Sequence, residues 1–523
     1  MTPAGVNQTL LAKSNLLCQV NVSMRVTRIL LPLLLTLHAA VVQAQTPASD
    51  LPDIGTPAST SLSLEDEYKI GRMILRSLRE SGQVIEDPEI NEYLQTLGMS
   101  LSSNAHEGAH RFTFFAVKDS GINAFALPGG FIGVNAGLVK STRSESELAG
   151  VLAHEIAHVT QRHIARSVQN AGRANLASVA AILATILIGA TTGIPTDAVM
   201  GGVTAAQGLA AQSQINFTRA NETEADRVGI GILAAAGFEP NAMADFFGTL
   251  QQHGGSSERN VPDLLRSHPV TSDRIAEARD RASKMEPARH GDSTSYALIR
   301  ERLAVQSLPP EASFGDLYRN AQSADLPSNE GEQYGRGLAL MRTSAPEQAI
   351  PIMQELLARR PDITLYHVGL GQAYLAAGQI GPARATLEKA MDLFPRSVPV
   401  TMRYAEALMR DGNPKRAHIV LLDLFNNVPP TPEQARYTAI AANAAGDVAD
   451  AYYYMSEYHV ISGDLALAID QLKLAQAVPG LNDVQRQRFD ARIRELQEYL
   501  PKGKHAREVA SPRNPEPDDG RSS

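Results

Sequence analysis

Residues 144–163 read SESELAGVLAHEIAHVTQRH, and the fold of the N-terminal half turns on whether HEIAH lies on a helix. Ser144 and Glu147 form an S-x-x-E capping box, and Leu148, Val151, Leu152 and Ile156 follow at helical spacing. On such a helix His154 and His158, one turn apart, project from one face and can ligate a single tetrahedral Zn²⁺. Glu155, beside the first of them, is placed to act on a metal-activated water. His163 lies two and a half turns after His154, which rotates it about 180° around a continuous helix. It therefore reads as a surface or packing residue.

A tetrahedral site needs a third protein donor. Arg219 to Gly229 reads RANETEADRVG. Taken alone it is an acidic, solvated helix face. Paired with HEIAH it suits a glutamate-ligated site, with Glu222 as third ligand and Asp226 accepting a hydrogen bond from the far nitrogen of a ligand histidine.

The 523-residue chain has room for two or three domains. Its net charge of −8 is spread over both signs, which argues against a nucleic-acid footprint. The one cysteine, Cys18, precedes the segment MRVTRILLPLLLTLHAAVVQAQ at 24–45, with a basic start, an apolar run and a small-residue cleavage site. This is a signal peptide cleaved near Ala44/Gln45, or else an N-terminal anchor helix. Cleavage leaves a chain without disulfides, cysteine metal ligands or a cysteine nucleophile, in the periplasm.

Beyond residue 333 a repeat can be followed. Ala339, Ala373, Ala407 and Ala441 are evenly spaced, and Ala349, Ala383, Ala417 and Ala451 keep the same interval. Pro361, Pro395 and Pro429 share that period, and so do Gly378, Gly412 and Gly446. The interval matches the length of a tetratricopeptide unit, a stacked helix pair of about 34 residues. The register looks broken at Gly463, which follows Gly446 by only half a period. The expected organisation is 1–44 upstream extension and signal peptide, 45–62 leader, 63–285 metallopeptidase domain, 286–332 irregular linker, 333–500 repeats and 501–523 disordered tail. A helix is expected to begin at Asp87-Pro88. Strands are expected at 111–117 and 123–134, the second interrupted by Pro128-Gly129-Gly130. The apolar stretch 174–211 reads as a flap over the cleft or a membrane-surface contact.

HEIAH, the E-x-E-A-D segment, the NAFALPGG strand and Ser267-His268-Pro269, all ahead of tetratricopeptide repeats, resemble the BepA family of periplasmic zinc metallopeptidases. The resemblance implies an α+β zincin-like domain, mostly helical with a small sheet, followed by an all-α repeat solenoid. It implies one Zn²⁺ per chain on His154, His158 and Glu222, with Glu155 as catalytic base. It also implies that His268 can approach the zinc as a fourth, regulatory ligand. Expected partners are unfolded or misassembled outer-membrane proteins, and the outer-membrane β-barrel assembly machinery through the repeats. The segment Gly130, Phe131, Ile132, Gly133 and Val134 reads as an edge strand that could bind extended substrate by strand addition, or as a core strand. The competing function is a non-catalytic repeat adaptor with a structural zinc site.

Overall fold

The computed structural model describes residues 62–105, 111–170, 219–254, 262–289, 291–308, 329–343 and 345–499. The segments expected to be a signal peptide, a flap or membrane contact (174–211) and a disordered tail (501–523) lie outside them. No helix among the described residues is long and apolar enough to cross a membrane.

The peptidase half begins with α1 (Leu64–Glu80), capped by Ser63. Helix α2 (Pro88–Ser102) follows, with the Asp87 carboxylate accepting the Ile90 N–H and proline in the first turn. Both starts follow from side chains that satisfy the unpaired amides of a first turn. Strands β1 (Thr113–Val117), β2 (Ala124–Leu127) and β3 (Phe131–Asn135) form one sheet in the order β1-β3-β2. The NAFALPGGFIGV stretch is thus a hairpin, in which β2 and β3 pair antiparallel around Pro128-Gly129-Gly130. Gly129 has φ +78°, and a Cβ there would meet the Tyr68 backbone at 2.3 Å, so only glycine lets this turn lie on α1.

The edge-strand expectation for Gly130 to Val134 is corrected here. Strand β3 is central, paired in parallel with β1 along its other side, and it is buried along its whole length. The hairpin is visible locally in the sequence; the parallel partner, reached by a crossover, is not. The free edge beside the helix that carries HEIAH belongs to β2.

Beyond the sheet come α3 (Ala136–Ser141), α4 (Glu145–Thr160), α5 (His163–Asn170), α6 (Arg219–Ala235), α7 (Ala242–Gly254), α8 (Asp263–Ser267) and α9 (Ser272–Ala282). The 286–332 stretch is not irregular throughout. Thr294–Gln306 forms helix α10, burying Tyr296, Leu298, Ile299, Leu303 and Val305. These face both the peptidase and the first repeat helix, so no simple one-sided apolar stripe marks it in the sequence.

The repeats are antiparallel helix pairs from Glu330–Leu340 to Asp483–Glu498. The period does not break. Gly463 falls one full period after Pro429, in the place of the periodic proline; Gly480 follows Gly446 and buried Ala475 follows Ala441 at the same spacing. Gly463 closes helix Val448–Ser462 in the left-handed conformation. A Cβ there would meet Arg72 of α1 at 2.9 Å, and Arg72 donates to the Val460 carbonyl at 3.2 Å.

The repeats grip the peptidase elsewhere too. Buried Arg302 of α10 forks onto Asp87 at 2.8–3.0 Å and reaches Glu89 at 3.0 Å. Arg403, from repeat helix Val398–Arg410, takes Glu89 with two bonds of 2.8 and 3.0 Å. One apolar core runs from the sheet into the first repeats, and the described residues belong to a single compact unit.

Glu92, one turn along α2, accepts the Val398 N–H at 3.3 Å. Burial pushes its carboxyl up to about 7, from an ordinary 4.5. The folded state therefore holds this proton more tightly than the unfolded chain, and stability is lost as pH rises from about 4.5 through about 7. Glu92→Gln should raise stability by roughly 1–2 kcal/mol at pH 8 and change nothing at pH 4.5. Melting curves at both values check this.

Candidate metal centre

Helix α4 delivers His154, Glu155 and His158. Of the expected capping box one half forms, the Ser144 hydroxyl accepting the Glu147 N–H at 3.2 Å, while the Glu147 carboxylate accepts the Arg143 N–H at 2.7 Å instead of that of Ser144. Helix α6 lies against it closely because both present small residues. A Cβ on Gly229 would meet the Ala153 backbone at 3.1 Å, and one on Gly150 would meet Met243 of α7 at the same distance. That approach brings Glu222, one helical turn into α6, to the two histidines.

The donors converge. His158 Nε2 lies 3.0 Å from His154 Nε2, and Glu222 oxygens lie 3.5 Å from each ring. His268, which ends α8, brings Nδ1 to 3.3 Å from His154 Nε2 and to 3.0 Å from Glu222 Oε1. One ligand atom from each of these four residues fits within a 4.8 Å cluster, and none of the side chains is more than 3% exposed. Imidazole nitrogens facing one another around a carboxylate leave lone pairs that only protons or a cation can bridge, so the donor set fits a metal ion.

Glu155 is fully buried, and neither of its oxygens has an aligned hydrogen bond. The Ala126 backbone N–H of β2 and the His268 ring face it, with His268 Nε2 3.5 Å from Oε1. Burial holds its carboxyl above the ordinary range, against the pull of His268 and His154. A base that takes a proton from water and later gives it back needs that shift. Burial alone would depress His154, but Asp226 and Glu222 overcome it and push the ring up to about 10. His158, equally buried and facing the imidazoles of His154, His268 and His163, is held well below its ordinary value, first by burial.

The structure places Asp226 Oδ1 3.0 Å from His154 Nδ1, an ion-pair contact off the hydrogen-bonding axis. Arg274 of α9, which the sequence reading missed, holds this carboxylate. It forks onto Asp226 at 2.7 and 2.8 Å and reaches Glu222 Oε2 at 2.9 Å. Arg274 is one of many arginines on amphipathic helices, and no local signal distinguishes it. His163 is the second miss, and its placement is corrected. It is not turned away: it is fully buried, with Nδ1 2.8 Å from His158 Nδ1. The rotation argument assumed one unbroken helix, whereas α4 ends at Thr160 and α5 begins at His163. Gly130 to Val134 does not join the metal cluster.

The model of peptidase family M48 matches residues 88–282, spanning the sheet and every donor. The beta-barrel assembly-enhancing protease of Escherichia coli strain K12 is 32% identical over 86% of this chain and 92% of its own length. The chain belongs to this protease family. The Yersinia pestis member is 32% identical over 87% of this chain and 94% of its own length. The metalloprotease LoiP of E. coli K12 is 28% identical over 38% of this chain and 73% of its own length. The protein is accordingly a metalloprotease of the beta-barrel assembly-enhancing family, with a His/Glu cluster able to hold the metal.

Arg274→Leu should strip Glu222 and Asp226 of their shared guanidinium, leave only the neighbouring imidazoles to balance two buried carboxylates, and destabilise the metal-free protein by about 3–5 kcal/mol. Bound metal supplies compensating charge, so denaturant titrations with and without metal should show a smaller loss in the loaded form.

Proposed function

We propose that the chain is a periplasmic zinc endopeptidase that cleaves unfolded or misassembled outer-membrane β-barrel proteins. The observation that carries this reading is a four-donor cluster beside a buried carboxylate with no aligned hydrogen bond. His154 Nε2, His158 Nε2 and a Glu222 oxygen would hold the zinc. When bound, the ion supplies Lewis-acid polarisation of the scissile carbonyl and acidifies water. Glu155 takes the proton from the attacking water and hands it to the leaving amine. Asp226 holds His154 through Nδ1 and is a positioning residue. With β3 enclosed on both sides, the free edge of β2, whose Ala126 N–H faces Glu155, is the edge we assign to an extended substrate segment.

His268 closes the cluster as a fourth donor, and we read this as the resting state. Its ring stands between Glu222 and Glu155, where it would keep water and substrate from the base. The repeats are assigned chaperone-like holding of unfolded chains and contact with the outer-membrane assembly machinery; the relatives' designation as beta-barrel assembly-enhancing proteases and the helix-pair architecture support this. The domain limits read from the sequence, 63–285 and 333–500, are retained as working boundaries. Sequence features support export with cleavage near Ala44/Gln45. The adaptor reading draws on the same closed cluster, and the experiment below separates the two.

Zinc content and cleavage of an unfolded model protein should be measured together. Glu155→Gln should retain zinc and lose at least about 100-fold in activity, while still binding unfolded substrate. His268→Ala should cleave faster than wild type. Equal, zero cleavage by all three proteins at full zinc loading would sink the gated-protease reading and leave the adaptor.

A further inference from the structure

His163 has no part in the reaction above, yet it is fully buried against a ligand histidine. It gets there through a backbone device. Arg162 adopts φ +51°, ending α4 and restarting the chain as α5. A non-glycine residue in that region is costly and persists only when its surroundings fix it. Here they do: the Arg162 guanidinium donates to the Leu62 carbonyl at 2.6 Å and to Glu67 Oε1 at 2.7 Å. The break swings His163 back under His158.

The hydrogen-bond chain then has one consistent solution. His158 Nε2 lies among the metal-donor atoms, so its lone pair must be free and its proton must sit on Nδ1. That N–H donates to His163 Nδ1 at 2.8 Å. His163 must therefore be neutral and carry its proton on Nε2, which donates to Glu224 Oε2 at 3.1 Å. Arg166 anchors Glu224 at 2.8 Å. We propose that His163 is a positioning residue that fixes the metal-binding tautomer and ring plane of His158, backed by Glu224 and Arg166. His154 is oriented by a carboxylate and His158 by a second imidazole, so the two ligands of one motif are held by unlike partners. Outer contacts of this kind commonly set metal affinity.

The inference rests on the ligand assignment made under Proposed function, and the test keeps the two apart. Full-length wild type, His163→Leu, His163→Asn and His158→Ala would be titrated with Zn²⁺ against a competing chelator. Asn places a carbonyl oxygen close to the position of Nδ1 and still accepts from His158; Leu offers nothing. We expect about 10–100-fold weaker zinc binding for His163→Leu, with His163→Asn recovering most of it. The visible spectrum of the Co²⁺-loaded protein should change in the Leu variant and return toward wild type in the Asn variant, which a purely structural role would not produce. Equal affinity of His163→Leu and wild type, or an Asn variant no better than Leu, would overturn the proposal. If His158→Ala bound zinc as tightly as wild type, the ligand assignment itself would fall, and this inference with it.

Discussion

The close crossing of α4 and α6 is the constraint on which the site depends. Glu222 is remote from His158 in the chain and meets it only because Gly229 lets the second helix press against the Ala153 backbone. A Cβ there would lie 3.1 Å from that backbone, closer than ordinary van der Waals contact, so the helices would have to give by a few tenths of an ångström. Glycine in a helix interior costs about 1 kcal/mol against alanine, and here that cost secures donor geometry. The same crossing buries two carboxylates, which in turn requires Arg274. The arginine is thus a consequence of the helix packing as much as a feature of the chemistry.

Much of the site was legible because its signals are local. HEIAH, its capping box and its apolar spacing sit within one helix, and the structure places His154, Glu155 and His158 there. Glu222 and Asp226 required a second helix, and the pairing of two weak motifs was enough to name them. His268 came only through family resemblance, since a histidine before a proline carries no chemistry by itself. His163 and Arg274 were illegible for different reasons. The first depends on a helix break at Arg162, a non-glycine residue whose positive φ is fixed by the distant Glu67 of α1. The second is a surface-type residue on an amphipathic helix until the fold encloses it.

The architecture followed the same rule. Helix starts at Asp87 and Ser144 were marked by capping residues, and the regular Ala, Gly and Pro period marked the repeat helices. Strand order was not marked: Pro128-Gly129-Gly130 reads as an interruption of one strand where it is the turn between two, and the parallel pairing of β1 with β3 is a long-range choice. The misreading at Gly463 has a specific origin. Glycine marks the turn inside each repeat, so a glycine at the end of one looked like a shifted register. It stands there because the chain leaves the helix in the left-handed conformation, at φ +92°, with Arg72 of the peptidase packed against it.

Helical repeat arrays ordinarily behave as one-dimensional chains, each unit held by its neighbours and free to fray from either end. Here the array is tied back onto a single body at widely separated points, through Arg403 early in the array and through Val460 and Asp464 near its far end. A stacked spring has become a closed loop. Val460 and Asp464 hold the outer array to α1, whose Glu67 also pins Arg162 and so the start of α5. Displacement of the outer repeats therefore has a mechanical route, through α1 and Arg162, to the back of the donor cluster.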